Sequence, residues 1–259
     1  MRLQTLVRAV GVLSLTMAAT VVAAGDGQES QGAALTYATA RLEVDATGKV
    51  AVAELIGKKP HPILAERAEA VARAWRFQPV LRDGKPVGGT TYANMHICVV
   101  PDGEGMRVAI DFAGNGPDSE WGRRKGSSEL PIGSMVGAGI FGLSGKVQYR
   151  VGADGRAKLE SATLSDPKLQ SRYGVSWWRE LNNLVKESRF KPEMVDGVPV
   201  ATRVETVYEL RWLKSDDKKA AQAMNSEVIA ESNACRSLRE NGVKAEVALD
   251  SPFKRLTEG

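Results

Sequence analysis

Two stretches of the chain alternate between apolar and polar positions on either side of a glycine. Residues 42–55 read LEVDATGKVAVAEL and residues 149–164 read YRVGADGRAKLESATL, with Gly48-Lys49 and Gly155-Arg156 at the breaks. Such alternation around a polar-glycine break predicts a β-hairpin in each stretch. A 3.6-residue period follows both. Leu64, Ala68, Val71, Ala72 and Trp75 fall on one helical face, and so do Leu169, Tyr173, Trp177, Leu181, Leu184 and Val185. Pro62 and Pro167 stand near the helix starts, where a missing N–H costs nothing, and Asp166 is a natural N-cap.

A third alternating run closes each stretch. Val204, Thr206, Tyr208, Leu210 and Trp212 alternate with Arg203, Glu205, Glu209 and Arg211. The earlier run sets Thr91, Ala93, Met95, Ile97 and Val99 inward against Tyr92, Asn94, His96 and Cys98. Each unit therefore reads as β-β-α-β, a small antiparallel sheet with a helix on one face and the other face freer. The fold class is α+β, with two tandem units at residues 33–101 and 144–213.

The repeat is explicit in the sequence. Arg76-Phe77-Gln78-Pro79 answers Arg189-Phe190-Lys191-Pro192, and Asp83-Gly84-Lys85-Pro86-Val87 answers Asp196-Gly197-Val198-Pro199-Val200, all at one constant offset. With Val44-Asp45-Ala46-Thr47-Gly48-Lys49-Val50 and Trp75, these motifs resemble the C-terminal domain of the TonB energy-transducer family. The second copy has Ser188 where the first has Trp75, and a longer helix. The family's transducers carry a histidine-bearing anchor and a long proline-rich spacer. Here no histidine precedes His61, and the 11 prolines are scattered. The resemblance implies the fold and a periplasmic interaction surface. It also implies that the third strand of the second unit takes up an extended peptide, because the family pairs receptor segments with its final strand. The candidate edge is Arg203, Val204, Glu205, Thr206, Val207, Tyr208 and Glu209.

The chain begins like an exported protein. Arg2 and Arg8 precede a short uncharged apolar run over residues 9–22, and Val22-Ala23-Ala24 offers the small residues that a signal peptidase reads. The run is shorter than the roughly 20 residues a membrane span needs. Residues 1–24 are thus expected to be a signal peptide, the mature chain to start at Gly25, and the location to be the periplasm. Residues 102–143 read as a glycine-rich linker with an extra strand over residues 106–112. Residues 214–259 read as a tail, helical over 220–238, with a short strand over 243–249.

Composition narrows the function. With 43% hydrophobic and 25% charged residues, the chain is too apolar to be disordered. A formal charge of +4 over 259 residues is too slight for a nucleic-acid binder. Two histidines leave little for a metal enzyme, and no cofactor is expected. Two cysteines in an oxidising compartment suggest one disulfide, Cys98 with Cys235.

Strings that imitate chemistry are cheap here. Gly137-Ala138-Gly139-Ile140-Phe141-Gly142 matches a dinucleotide fingerprint, but that site needs a strand before it and a helix after it. The serine-lysine spacing S-x-x-K starts at Ser165, Ser188 and Ser215, without its S-D-N and K-T-G companions. His96 and Cys98 share a strand face with no further histidine beside them. The expectation is a non-enzymatic interaction module that binds segments of periplasmic or outer-membrane proteins. The alternatives are a serine-lysine envelope enzyme acting through Ser165 and a purely structural envelope protein.

Overall fold

The computed structural model describes residues 3–9, 34–57, 59–102, 105–120, 128–214 and 247–256. Strand β1 (Leu3–Ala9) comes first. Strands β2 (Ala34–Val44) and β3 (Val50–Ile56) make a hairpin, helix α1 (Pro62–Ala74) follows, and β4 (Val80–Arg82) and β5 (Lys85–Val87) make a second, smaller hairpin. Strand β6 (Gly89–Asp102) then returns antiparallel to β2, from Gly89 opposite Val44 to Val99 opposite Ala34. Next come β7 (Gly105–Gly116), β8 (Asp118–Glu120) and the short helix α2 (Ile132–Gly137). The second half runs β9 (Gly142–Val151), β10 (Ala157–Leu164), α3 (Pro167–Glu187), β11 (Arg189–Lys191), β12 (Glu193–Val195), β13 (Val198–Val200) and β14 (Thr202–Lys214), and β15 (Val247–Ala248) is last.

The class is mixed α+β, built from antiparallel sheets. A six-stranded sheet is ordered β13-β12-β6-β2-β3, with β7 also on β6; a five-stranded sheet is ordered β1-β14-β9-β10, with β15 also on β14. The order β3-β2-β6 in one sheet thus corresponds to β10-β9-β14 in the other.

Local chemistry explains the shared motifs. In the first hairpin Asp45 Oδ1 accepts from the Thr47 N–H at 2.8 Å, the Thr47 hydroxyl at 2.7 Å and the Lys49 N–H at 3.0 Å. The Thr47 hydroxyl bond leads in holding the Asp45 carboxyl below its ordinary pKa. Gly48 (φ +84°) and Gly155 (φ +73°) have no room for a side chain. An added Cβ would lie 1.9 Å from the Phe77 carbonyl oxygen or 2.4 Å from that of Phe190. In return the Phe77 and Phe190 N–H groups donate to the Gly48 and Gly155 carbonyls at 2.8 and 3.1 Å. The R-F-x-P strip lies across its hairpin at van der Waals distance in both halves, which is why glycine and phenylalanine recur together. Asp83-Gly84 and Asp196-Gly197 all have positive φ, the conformation of type I′ hairpin turns.

Among the described residues two hydrophobic cores form. In the first, Ala68 and Ala72 of α1 pack with Leu42, Leu55, Trp75, Phe77, Met95 and Ile97. In the second, Tyr173, Trp177, Leu181 and Val185 of α3 cover Val147, Tyr149, Leu159, Val204 and Tyr208. Asp166 caps α3 through bonds from the Lys168 and Leu169 N–H groups at 2.7 and 3.2 Å. His61, the N-cap of α1, makes no side-chain capping bond.

Two expectations need correction. The second face of β6 is not free: Tyr92, His96 and Cys98 are all buried. His96 lies edge-on to Tyr37, with ring centroids 5.0 Å apart. The stretch between the halves is more than a linker. β7 spans Gly105–Gly116 and pairs with β6 along its length, β8 pairs with β11, and Leu130 and Met135 enter the second core. Glycine marks close approach here, as at Gly116, where an added Cβ would lie 2.9 Å from Ala248 Cβ. The helix expected over 220–238 lies outside the described residues, as do the expected cleavage site at Gly25 and most of the apolar run before it. Among the described residues no helix is long and apolar enough to cross a membrane.

Candidate strand-acceptor edges

The outer side of β14 holds two segments of this same chain. Val204 and Glu205 lie opposite Ala248 and Val247 of β15, and residues 208–214 lie opposite β1, from Tyr208 and Ala9 to Lys214 and Leu3. The other side pairs with β9 without a register break. The polarity of each residue follows from Arg203. Its carbonyl accepts from the Leu249 N–H at 2.8 Å, and its N–H donates to Asp250 Oδ1, so Arg203 points its backbone groups outward. N–H directions alternate along a strand. Glu205, Val207, Glu209 and Arg211 therefore face the added strands, while Val204, Thr206, Tyr208 and Leu210 face β9.

The candidate edge side chains divide the same way. Val204, Thr206 and Tyr208 are buried against α3, and burial pushes the Tyr208 hydroxyl pKa up. Arg203 pairs with Glu160 at 2.8 Å. Glu205 pairs with Lys146 at 2.8 Å and accepts from Gln148 Nε2 at 2.7 Å. Of the charges that looked outward, Arg203 and Glu205 are thus tied across neighbouring strands. Val207, half-buried, stands on the same outward-bonding register as Arg203 and Glu205.

The counterpart edge of β6 is closed differently. β12 reaches across to place Met194 and Val195 opposite Thr90 and Gly89, and β7 covers residues 92–102. Glu193, fully buried, sits at this crossing. Its Oε1 accepts from the Thr91 hydroxyl at 2.6 Å and the Ser251 hydroxyl at 2.7 Å, and its Oε2 accepts from the Thr202 hydroxyl at 2.9 Å. Asn115 Nδ2 donates to the hydroxyls of Thr91 and Ser251 at 3.2 and 3.1 Å. Burial outweighs these bonds and raises the Glu193 pKa. No sequence pattern flagged Glu193, because one carboxylate beside a turn looks like any solvated charge. A groove of about 440 Å³ nearby is lined by Arg41, Tyr92, Asp154, Lys191 and Met194. Its cations are already matched, Arg41 by Glu43 at 2.7 Å and Lys191 by Asp118 at 3.0 Å.

The imitations of catalytic motifs do not assemble. Ser188 is buried and its hydroxyl donates to the Leu184 carbonyl at 2.7 Å, closing α3. Ser165 precedes the α3 cap with Lys168 exposed, and Ser215 lies outside the described residues. Gly137 ends a helix and Gly142 starts a strand, the reverse of a dinucleotide site. Among the described residues no group of histidine, cysteine and carboxylate side chains converges on a metal position. Burial also lowers the His96 pKa, against a smaller opposing pull from Asp111. Cys98 is buried and disulfide-bonded; Cys235 lies outside the described residues.

Three comparisons bear on this arrangement. Residues 36–96 match the family described as Gram-negative bacterial TonB protein C-terminal. The first half of the chain therefore contains a TonB C-terminal domain, spanning β2 through most of β6. The match does not extend to residues 144–213. No curated protein and no solved structure matches the chain. The domain points to energy transduction or protein interaction in the cell envelope, within a family that is generally not catalytic.

Proposed function

We propose that this protein is a non-enzymatic periplasmic interaction module that binds extended segments of envelope proteins by strand addition along β14. Residues 144–213 act in it as a second TonB C-terminal-like domain. The observation that carries the reading is the occupancy of β14. Its outer side takes an antiparallel strand, Leu3–Ala9, across seven residue pairs. That strand falls in the segment with the features of a cleavable leader. Cleavage before Gly25 removes it and leaves the outward groups of Glu209 and Arg211 to be satisfied by a partner. Ladder bonds then supply affinity to an extended peptide of almost any sequence. The partner class is a segment of a periplasmic or outer-membrane protein, delivered without nucleic acid or cofactor.

A photo-crosslinking side chain at position 209, in a chain beginning at Gly25, tests this in a periplasmic extract. Expected is a discrete crosslinked partner that vanishes in a folded Val207→Pro variant. A crosslink pattern unchanged by Val207→Pro, or no crosslink at all, overturns the reading.

A further inference from the structure

The R-F-x strip carries an added strand in both halves, at a place separate from β14. In the second half, Arg189, Phe190 and Lys191 lie opposite Glu120, Ser119 and Asp118 of β8, and Lys191 Nζ meets Asp118 Oδ2 at 3.0 Å. In the first half, the occupant comes from the C-terminal strap, residues 249–256. Phe77 bridges Arg255 antiparallel, the Gln78 N–H donates to the Lys254 carbonyl at 2.8 Å, and the Leu256 N–H donates to the Arg76 carbonyl at 2.8 Å.

The strap is read by side chain as well as by backbone. Phe253 is buried edge-on to Phe77, centroids 6.5 Å apart, in a space that exists because position 89 is glycine. The Arg255 guanidinium carbon lies 5.3 Å from the Trp75 ring centroid and 4.8 Å from that of Phe112. Those two rings meet edge to face at 5.0 Å, so the cation is shared between aromatic faces. Lys254, between the two anchors, is exposed, and Leu256 beyond them is largely exposed. Alternation of anchored and solvent-facing side chains along a backbone-bonded segment is the pattern of a docked peptide.

We propose that the strip formed by Arg76, Phe77 and Gln78 is a peptide-binding slot. Its resident occupant is this chain's own strap, and its external ligands are extended segments with an aromatic residue followed two places later by arginine. Two backbone bonds, the buried Phe253 ring and the Arg255 cation together hold the strap on the strip, so emptying the slot means withdrawing Phe253 from the edge of the first core. The strap competes at the high effective concentration of a tethered ligand, and an outside peptide enters only when the strap is weakened or outbid.

The test uses a fluorescently labelled synthetic peptide, LDSPFKRLTEG, with the full chain. A variant carrying Phe253→Ala and Arg255→Ala together removes both side-chain anchors of the strap and weakens its hold on the slot. The peptide should bind this variant at least tenfold more tightly than it binds wild type. A peptide with alanine at the arginine position should bind at least tenfold more weakly than the parent. If the variant is folded by near-ultraviolet circular dichroism and neither difference appears, the slot does not exist. Should the double variant lose its fold, Arg255→Ala alone decides, because it keeps the Phe253 anchor. Peptide binding above wild type sustains the proposal, and binding equal to wild type overturns it.

Discussion

The outer edges of β6 and β14 are topological counterparts, yet they are sealed by different means. β6 turns directly into β7, which covers residues 92–102 as its immediate continuation, while Gly89 and Thr90 alone pair with the distant β12. β14 depends on distant segments: two residues of β15 and the seven of β1. A strand sealed by its own hairpin loses little entropy on closure, whereas one sealed by remote segments must hold them against a larger loop. The same three-strand order therefore gives one closed edge and one conditional edge. Natural sheets guard exposed edges, so an edge closed only by distant segments is where function is expected.

Four measurements break or sharpen this contrast. The largest effect concerns the closed side. If Cys98 of β6 is tied to Cys235, the chain's other cysteine, reduction should lower stability by about 4 kcal/mol, read as a shift in denaturant midpoint. Labelling of both thiols under denaturing, non-reducing conditions would show that they do not pair with each other.

Proline substitution separates the two sides of β14. Thr206→Pro removes an N–H that faces β9 and should cost on the order of 3 kcal/mol, while Val207→Pro removes an outward one and should leave the fold intact. Equal thermal melting temperatures for the two variants would erase the distinction. On β6, Gly89→Ala would set a Cβ 2.0 Å from the Met194 carbonyl oxygen and 2.7 Å from Phe253 Cζ. It should destabilise by about 2 kcal/mol, loosening the β12 crossing. A chemical melt no weaker than wild type would show that the crossing yields without cost.

The smallest effect is a pH dependence. Burial raises the Glu193 pKa above its ordinary 4.5, so the folded state holds this proton more tightly than the unfolded chain does. Its contribution is fully present below pH 4.5 and is lost as pH rises through the raised value. Glu193→Gln should match wild type within about 1 kcal/mol in acid and gain on it as pH rises. Parallel stability curves from pH 4 to 8 would remove Glu193 from the account.

Much of the architecture was readable from local pattern. The Asp-Gly turns, the helix faces and the alternation of Val204, Thr206, Tyr208 and Leu210 all express short-range geometry that tertiary packing did not overrule. What escaped reading was long-range. Tyr92, His96 and Cys98 looked outward because alternation marks two faces without saying what covers the second. β7 was recognised only over residues 106–112, since its glycine-rich end looks like loop until Ala248 is placed against Gly116. The strap has too few residues to show any period, and nothing in Ser251, Phe253 or Arg255 announces Glu193, Phe77 or Trp75 as a neighbour.

The strap also dictates a timetable. Asn115 bonds to Phe253 across 138 positions and to Ser251 across 136, and Phe253 completes the same core that α1 and β2 begin. Chains are made from the amino end, and early domains ordinarily finish before late ones emerge. Here the domain at residues 36–96 waits for residues made well over a hundred positions later, so its final packing is gated by synthesis of the strap. Contacts of such separation slow the closing step relative to the local hairpins and helices. A chain stopped before the strap would carry an open aromatic slot in that domain, so its packing registers whether the strap has been made.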